Sequence, residues 1–345
     1  MIFFKLKENK KGKEDFYMIT KQPITKDDIV IRKTVLHILD TGHGILNLSD
    51  SLLDPGPDLY EFIRGHIFKI ISSDDTKNCE FNPDTSAVYS ILKGFTESDE
   101  RSFLSVSREL AEKLYSIMGQ GIDIPAADLL TVSFQANGTI FLALLKMNYK
   151  SNYTHSLKDT HTDIVKASAL PASGTRIPEA VIINLTDLHI NLLEKRYEIN
   201  GEKMFYLSEL FLVCHTSLAP KKKLSVIDRT INTISNKYDG TDIKKKMDTK
   251  SKLRHLYQEE EQFDVEKIGE ELFGKDADKR TEFDEKMEQY DLQFDTFTIS
   301  NPSTLKKLEK QVLVTDSGIE ISIPMDTYDK RANFEVQTDA ATGKT

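Results

Sequence analysis

The stretch DLLTVSFQANGTIFLALL, residues 128–145, decides the fold. Two apolar runs flank Asn137-Gly138, and Asn-Gly between such runs is the strongest short-range signal for a tight β-hairpin turn. The run after the turn, Ile140–Leu145, is apolar at every position, which is typical of a central strand of a sheet. The sequence therefore predicts an antiparallel hairpin inside a sheet.

Further strands and two helices are predicted around this hairpin. β-branched and apolar runs predict strands at 29–31, 35–39, 45–48 and 180–185, with a turn at Gly42-His43-Gly44. Apolar residues at helical spacing predict helices at about 58–71 and 98–118. Strands and helices in this order predict an α+β domain in which sheet and helices are mixed.

The second half of the chain has a different character. An apolar run at Tyr206–Val213 is followed by helical patterns at about 224–238, 247–262, 264–273 and 278–291. A short helix from Asn301 to Lys310 and a hairpin at 312–323 follow. We therefore predict an N-terminal α+β domain (1–200), a helical region (201–300), and a C-terminal helix and hairpin (301–345) whose end, 339–345, is disordered.

Composition limits the class of protein. The chain has 345 residues, of which 39% are hydrophobic and 29% charged, as expected for a soluble folded protein of about two domains. It has no apolar run of membrane-spanning length, and its start turns polar at Lys5, too early for a signal peptide. We expect a cytoplasmic protein whose Cys79 and Cys214 are reduced thiols.

Several short segments occur along the chain in an informative order and spacing. They are Val35–Leu39, Asp50–Pro55 with the helix after it, Phe103-Leu104 with Ser107-Arg108, Leu144–Met147, Asp163–Val165, Ser303–Leu308 and Ile319–Ile323. The ordered set resembles the bacterial nucleoid-associated protein family of NdpA type. The resemblance implies a protein that co-localises with the chromosome in the nucleoid and binds DNA, and it implies no reaction and no catalytic residues.

The charge pattern is strongly uneven along the helical region. Although the formal net charge is -9, residues 220–256 contain eleven basic and four acidic side chains, whereas 257–300 contain five basic and fifteen acidic ones. Lysine dominates the basic half, which suits phosphate contacts better than base readout. The predicted DNA-binding residues are Lys221, Lys222, Lys223, Lys244, Lys245, Lys246, Lys250, Lys252 and Arg254.

Two alternatives stay open. The basic and acidic halves of the helical region can neutralise each other, since oppositely charged helices attract. The protein would then act as an adaptor whose acidic helices, about 257–295, bind a basic, DNA-bound partner. The oligomeric state and the identity of such protein partners are left open by the sequence.

Enzymatic interpretations are weaker. His155, Asp159, His161 and Asp163 are metal-ligand residue types, but their segment, 149–162, is polar and predicts a flexible surface loop. Asp74-Asp75 and Glu259–Glu261 carry the residue types of a metal-dependent nuclease site, yet each run is typical of a solvated face. The adjacent Cys214-His215 pair lacks a third, orienting group, and the sequence contains no phosphate-binding glycine motif. We expect no enzyme, no cofactor and no metal.

Overall fold

The computed structural model describes residues 24–330 apart from Ile122, Asp159, Thr160, Thr241 and Asp316, and it also describes Glu335 and Gln337. The segment predicted to be disordered, 339–345, lies outside the described residues. Two compact units make up the chain: Met1–Ile71 with Asn78–Thr216, and Ser72–Lys77 with Ser217–Thr345. The three-part division predicted from the sequence stays a prediction.

The first unit carries a large sheet and three helices in its described part. Its elements are β1 (Val30–Asp40), β2 (Ile45–Leu48), α1 (Gly56–Ile71), β3 (Lys77–Phe81), α2 (Ala87–Leu92), α3 (Glu100–Met118), β4 (Ala127–Ala136), β5 (Thr139–Asn148), β6 (Lys150–Lys158), β7 (His161–Ala169), β8 (Glu179–Asn184), β9 (Ile190–Leu193), β10 (Tyr197–Ile199), β11 (Glu202–Met204) and β12 (Cys214–Thr216). Among the described residues, eight strands form one sheet in the order β12-β3-β9-β8-β5-β4-β1-β2.

The hairpin predicted from residues 128–145 is confirmed as the centre of this sheet. Strands β4 and β5 pair in antiparallel register around Asn137 and Gly138, whose φ angles of 46° and 82° lie in the left-handed region that this turn requires. Strand β5 pairs on its other side with β8. The α+β class is therefore confirmed.

Alternate residues of the central strands face two separate cores. Leu142, Leu144 and Val181 pack with α2 and α3 on one face, whereas Ala143 and Leu145 pack with α1 on the other. Because both faces are covered by helices, the central strands lack the polar alternation of a half-exposed strand. This explains why β5 and β8 appear in the sequence as unbroken apolar runs.

The segment 149–162 was wrongly predicted to be a loop. Strands β6 and β7 pair antiparallel from Lys150↔Ala169 to Lys158↔His161 and form a two-stranded sheet separate from the large one. The prediction failed because polar residues outnumber apolar ones there, although Tyr153, Leu157 and Ile164 keep the alternation of a strand.

The second unit is mainly helical. Its described elements are α4 (Pro220–Tyr238), α5 (Ile243–Glu260), β13 (Phe263–Asp264), α6 (Val265–Phe273), α7 (Ala277–Gln289), β14 (Thr296–Phe297), α8 (Pro302–Glu309), β15 (Lys310–Val314), β16 (Glu320–Pro324) and α9 (Met325–Lys330). These bounds confirm the four predicted helices of 224–291, the short helix near 301–310 and the hairpin after it.

Two apolar clusters hold the second unit together. The larger one joins α4, α6 and α7 through residues such as Ile227, Ile268 and Phe283. The smaller one joins Met247 of α5 to Ile323, Met325 and Tyr328. The longest described helices, α3, α4 and α5, each carry several charges, and none of the helices in the described ranges has the combined length and apolar character of a membrane span.

Candidate nucleic-acid interface

The nine predicted contact residues lie on two helices of the second unit. Three stand in the first turn of α4, which Pro220 begins, and six lie along α5, whose first turn is capped by the Asp242 carboxylate accepting from the Lys245 N–H at 3.1 Å. Position on each helix decides which side chains reach solvent, because both helices bury one face in the apolar clusters.

Lys223 is held inside the unit. Its side chain is buried, with the residue only 6% exposed, and its Nζ lies 2.6 Å from an Asp295 carboxylate oxygen and 5.6 Å from the centre of the Phe297 ring. Lys223 stands four residues before the buried Ile227, so both project from the inward face of α4. A buried ion pair of this kind leaves no charge for a phosphate outside.

Lys250 and Arg254 are also engaged. The Lys250 Nζ donates to the carbonyl oxygen of Lys310 at 2.9 Å and to Gln311 Oε1 at 3.2 Å, and burial lowers the pKa of Lys250. The Arg254 guanidinium donates to the carboxylates of Asp326 and Asp329, the second at 2.8 Å. Neither side chain can meet a phosphate while these contacts hold.

Lys221 and Lys245 form surface ion pairs. The Lys221 Nζ lies 3.2 Å from Asp75 Oδ2, and the Lys245 Nζ lies 3.5 Å from an Asp239 oxygen and 3.9 Å from an Asp242 oxygen. Exposed pairs of this kind contribute only about 0–1 kcal/mol. A phosphate can therefore replace the carboxylate at little cost in stability.

Four predicted residues reach solvent without an ion pair in the described part of the chain. Lys222, Lys244 and Lys252 are exposed and Lys246 is half-exposed. Lys252 lies almost directly above Lys245 on α5, because seven residues are close to two helical turns. The structure thus brings Lys244, Lys245 and Lys252 to one exposed side of α5, while Lys222 stands at the start of α4.

Three further exposed lysines were not among the predicted contact residues. Lys306 and Lys307 on α8 and Lys310 at the start of β15 are all exposed. In the sequence, Lys306 and Lys307 lie in a segment that resembles the family, and Lys310 lies at the end of a predicted helix. For Lys306 and Lys307 the available signal was their position on the outer face of α8, opposite the inward-facing Leu305 and Leu308.

Asp74 connects these lysines to the start of α4. Its carboxylate accepts from the Ser300 N–H at 2.7 Å and from the Thr304 hydroxyl at 2.6 Å, which fixes the beginning of α8. Its carbonyl oxygen accepts from the Lys221 N–H at 2.9 Å, which fixes the beginning of α4. Asp74 therefore has a structural role and joins the start of α8 to the start of α4.

The acidic half of the helical region is only partly neutralised. Lys237 pairs with Glu282 at 2.6 Å, and Lys279 of α7 pairs with Asp239 at 2.8 Å. Many acids between the end of α5 and the end of α7 nevertheless remain exposed: Glu259, Glu261, Glu266, Glu270, Glu271, Asp278, Glu285, Glu288 and Asp291.

The histidine-rich segment does not assemble a shared site. His155 stands opposite Ile164 in the β6–β7 ladder, and His161 pairs with a residue three positions after His155, so the two histidines project from opposite faces. Asp159 lies outside the described residues. Within the described ranges no cluster of three or more histidine, cysteine, aspartate or glutamate side chains is arranged to hold a metal ion.

The chain matches the model of a known protein family. The model of a family described as nucleoid-associated protein YejK matches residues 35–344, nearly the whole chain and both units. No curated protein matches the chain.

Proposed function

The chain belongs to the nucleoid-associated protein family of YejK, and from this premise we propose that it associates directly with double-stranded DNA, largely without sequence specificity. The resemblance found in the sequence is thereby confirmed at the level of the family. The proposal places the protein in the cytoplasm at the nucleoid and assigns it no reaction and no cofactor.

The observation that carries the proposal is a set of exposed lysines in the second unit. Seven lysines of α4, α5, α8 and the start of β15 form neither an ion pair nor a side-chain hydrogen bond within the described residues: Lys222, Lys244, Lys246, Lys252, Lys306, Lys307 and Lys310. All are lysines, whose ammonium groups act as point charges toward phosphate and lack the planar fork with which arginine reads guanine. Contacts of this type give affinity without sequence preference.

The net charge of -9 does not oppose such contacts at physiological salt. Charges farther apart than the Debye length, about 8 Å at 0.15 M, are largely screened from each other. A phosphate in contact with a lysine is therefore affected mainly by that lysine and its immediate neighbours. The surface pairs of Lys221 and Lys245 add two charges that DNA can recruit by displacing carboxylates.

The second candidate function is that of an adaptor. The exposed acids of α6 and α7 form a surface that repels DNA and attracts a basic protein. In that case the protein would reach the nucleoid through a DNA-bound partner, and its lysines would serve solubility alone.

A salt titration of the purified protein against bare duplex tests the proposal. We expect two 30-base-pair duplexes of unrelated sequence to bind equally, as measured by fluorescence anisotropy. Seven phosphate contacts would give a slope of log affinity against log salt of about -6, and partial engagement a slope of about -3 to -5. If neither duplex binds at 50 mM salt, direct association is refuted and the adaptor candidate replaces it.

A further inference from the structure

A segment near the C-terminus packs against the most basic helix through a contact separate from the main core. The C-terminal segment, defined as β15, β16 and α9 (Lys310–Lys330), meets α5 at a small cluster of Met247, Ile323, Met325 and Tyr328. The Tyr328 hydroxyl donates to the Asp248 carboxylate at 2.7 Å and extends this contact along α5. Four buried side chains make a small interface, whose opening costs much less than unfolding the unit.

At the centre of this contact, α5 binds an anion supplied by the chain itself. The Asp329 carboxylate accepts from the Ser251 hydroxyl at 2.5 Å and from an Arg254 N–H at 2.8 Å, and it lies 3.4 Å from His255 Nε2. Ser251, Arg254 and His255 occupy positions i, i+3 and i+4, so their side chains project from one side of the helix. A second carboxylate, that of Asp326, binds the other terminal nitrogen of Arg254.

This donor set matches a phosphate group as well as it matches a carboxylate. A guanidinium nitrogen pair and a hydroxyl are donors that proteins commonly use toward phosphate oxygens. The two carboxylates are three residues apart on α9, so they present two negative charges side by side to α5. Lys250, which donates to the Lys310 carbonyl oxygen, is covered by the same segment.

We propose that the C-terminal segment is an internal competitor, whose Asp326 and Asp329 occupy a polyanion-binding face of α5 formed by Lys250, Ser251 and Arg254. This inference rests on the proposed function, because it concerns how the DNA-binding surface is regulated. With the segment docked, DNA reaches only the exposed lysines. With the segment released, Arg254 and Lys250 join them, and the phosphate backbone replaces the two carboxylates.

Competition of this kind has a quantitative consequence. When only a fraction of the molecules has the α5 face open, the apparent dissociation constant for that face is the intrinsic one divided by the open fraction. Weakening the docked state therefore tightens DNA binding even though no residue that touches DNA has changed. DNA binding must equally favour release of the C-terminal segment from α5, since the coupling between two equilibria is reciprocal.

The test is the double variant Asp326→Asn with Asp329→Asn. Its matched control is Glu309→Gln with Glu320→Gln. This variant also removes two negative charges, but from exposed side chains just before and within the same segment. We expect the first variant to bind duplex at least about fivefold more tightly than the control, with a salt slope steeper by about two because Lys250 and Arg254 each gain a phosphate. Hydrogen exchange should show faster exchange of the Lys310–Lys330 amides in the first variant alone.

Equal affinity of the two variants, or unchanged exchange of the segment, would overturn the inference. Adding duplex to the unmodified protein should likewise accelerate exchange in Lys310–Lys330, and protection of those amides by DNA would also refute it. Heparin, a polyanion unrelated to DNA, separates this inference from the proposed function. If no form of the protein binds duplex but heparin binds the Asp326/Asp329 variant more tightly than the control, the proposed function fails and the α5 anion site stands.

Discussion

Replacing four exposed lysines by glutamine should weaken DNA binding without weakening the fold. The positions are Lys222, Lys244, Lys246 and Lys252, which form no ion pair within the described residues. Each lysine that meets a phosphate contributes about 0.9 to the salt slope, which equals about eightfold in affinity at 0.1 M salt. If all four make contact, the slope falls by about 3.6 and affinity by more than a thousandfold, whereas one contact changes them by about 0.9 and eightfold.

The control must separate local contact from net charge. A second fourfold variant carries glutamine at Lys237, Lys267, Lys275 and Lys286, which lie among the acids of the same unit and change the net charge equally. The ion pairs lost with Lys237 and Lys267 are exposed to solvent, so their loss should change the stability of the fold little. Fluorescence anisotropy against a salt series measures binding of both variants, and urea unfolding followed by circular dichroism checks their stability.

The outcomes distinguish three situations. Loss of affinity confined to the first variant supports contact through the start of α4 and the exposed side of α5. Equal loss in both variants means that only long-range charge matters, and the assignment of individual lysines is then refuted. Unchanged affinity in the first variant places the contact surface elsewhere on the protein.

Three further predictions concern the fold that presents this surface. Folding holds the pKa of buried His37 at about 4, chiefly by desolvation, so the unfolded chain takes up the proton first as the pH falls. In urea unfolding, the loss of stability between pH 7 and pH 5 should be about 2 kcal/mol smaller in His37→Gln, and the loss that remains comes from groups such as His66 and His189, whose pKa values burial also lowers. The variant Glu179→Ala should lower the free energy of unfolding by about 3–5 kcal/mol, since Lys146, whose Nζ lies 3.1 Å from Glu179, stays buried without its counter-ion; a loss below 1 kcal/mol in the same assay contradicts this. Replacing the exposed Leu157 and Ile164 of the β6–β7 hairpin by serine should change that free energy by less than about 0.5 kcal/mol, and a larger loss would show that another surface covers them.

The parts of the fold that the sequence predicts are those with long, regular patterns. The β4–β5 hairpin follows from an Asn-Gly turn between apolar runs, and α3 follows from apolar residues repeated at helical spacing over five turns. Several strands of three or four residues, such as β9 (Ile190–Leu193) and β12 (Cys214–Thr216), were not predicted, whereas the four-residue β2 was, because a glycine turn joins it to β1. So few residues do not establish a period, and these strands form because the sheet supplies partners distant in sequence.

The fate of individual lysines was predictable only in part. Lys222 and Lys223 are neighbours in sequence, yet one is exposed and the other buried, because Lys223 shares the spacing of Ile227 and Ile231 on the inward face of α4. That signal is local and was available. The partners of Arg254 are more than seventy residues away on α9, and no local pattern joins them, so its neutralisation appears only in three dimensions.

For an acidic protein that binds DNA through a few lysines, the DNA affinity should depend on salt concentration in a characteristic way. At low salt the Debye length grows to about 30 Å at 0.01 M, and the exposed acids of α6 and α7 then repel the phosphates that the lysines attract. Between 0.01 M and about 0.1 M, added salt screens this long-range repulsion as well as the short-range attraction, so the two effects oppose each other. Above that range the repulsion is already screened, and the slope approaches the value set by the number of lysine contacts. A salt plot that flattens toward low salt would thus follow from the opposite charges on α5 and on α6–α7, whereas a straight line down to 0.01 M would mean that DNA never comes within reach of the acidic helices.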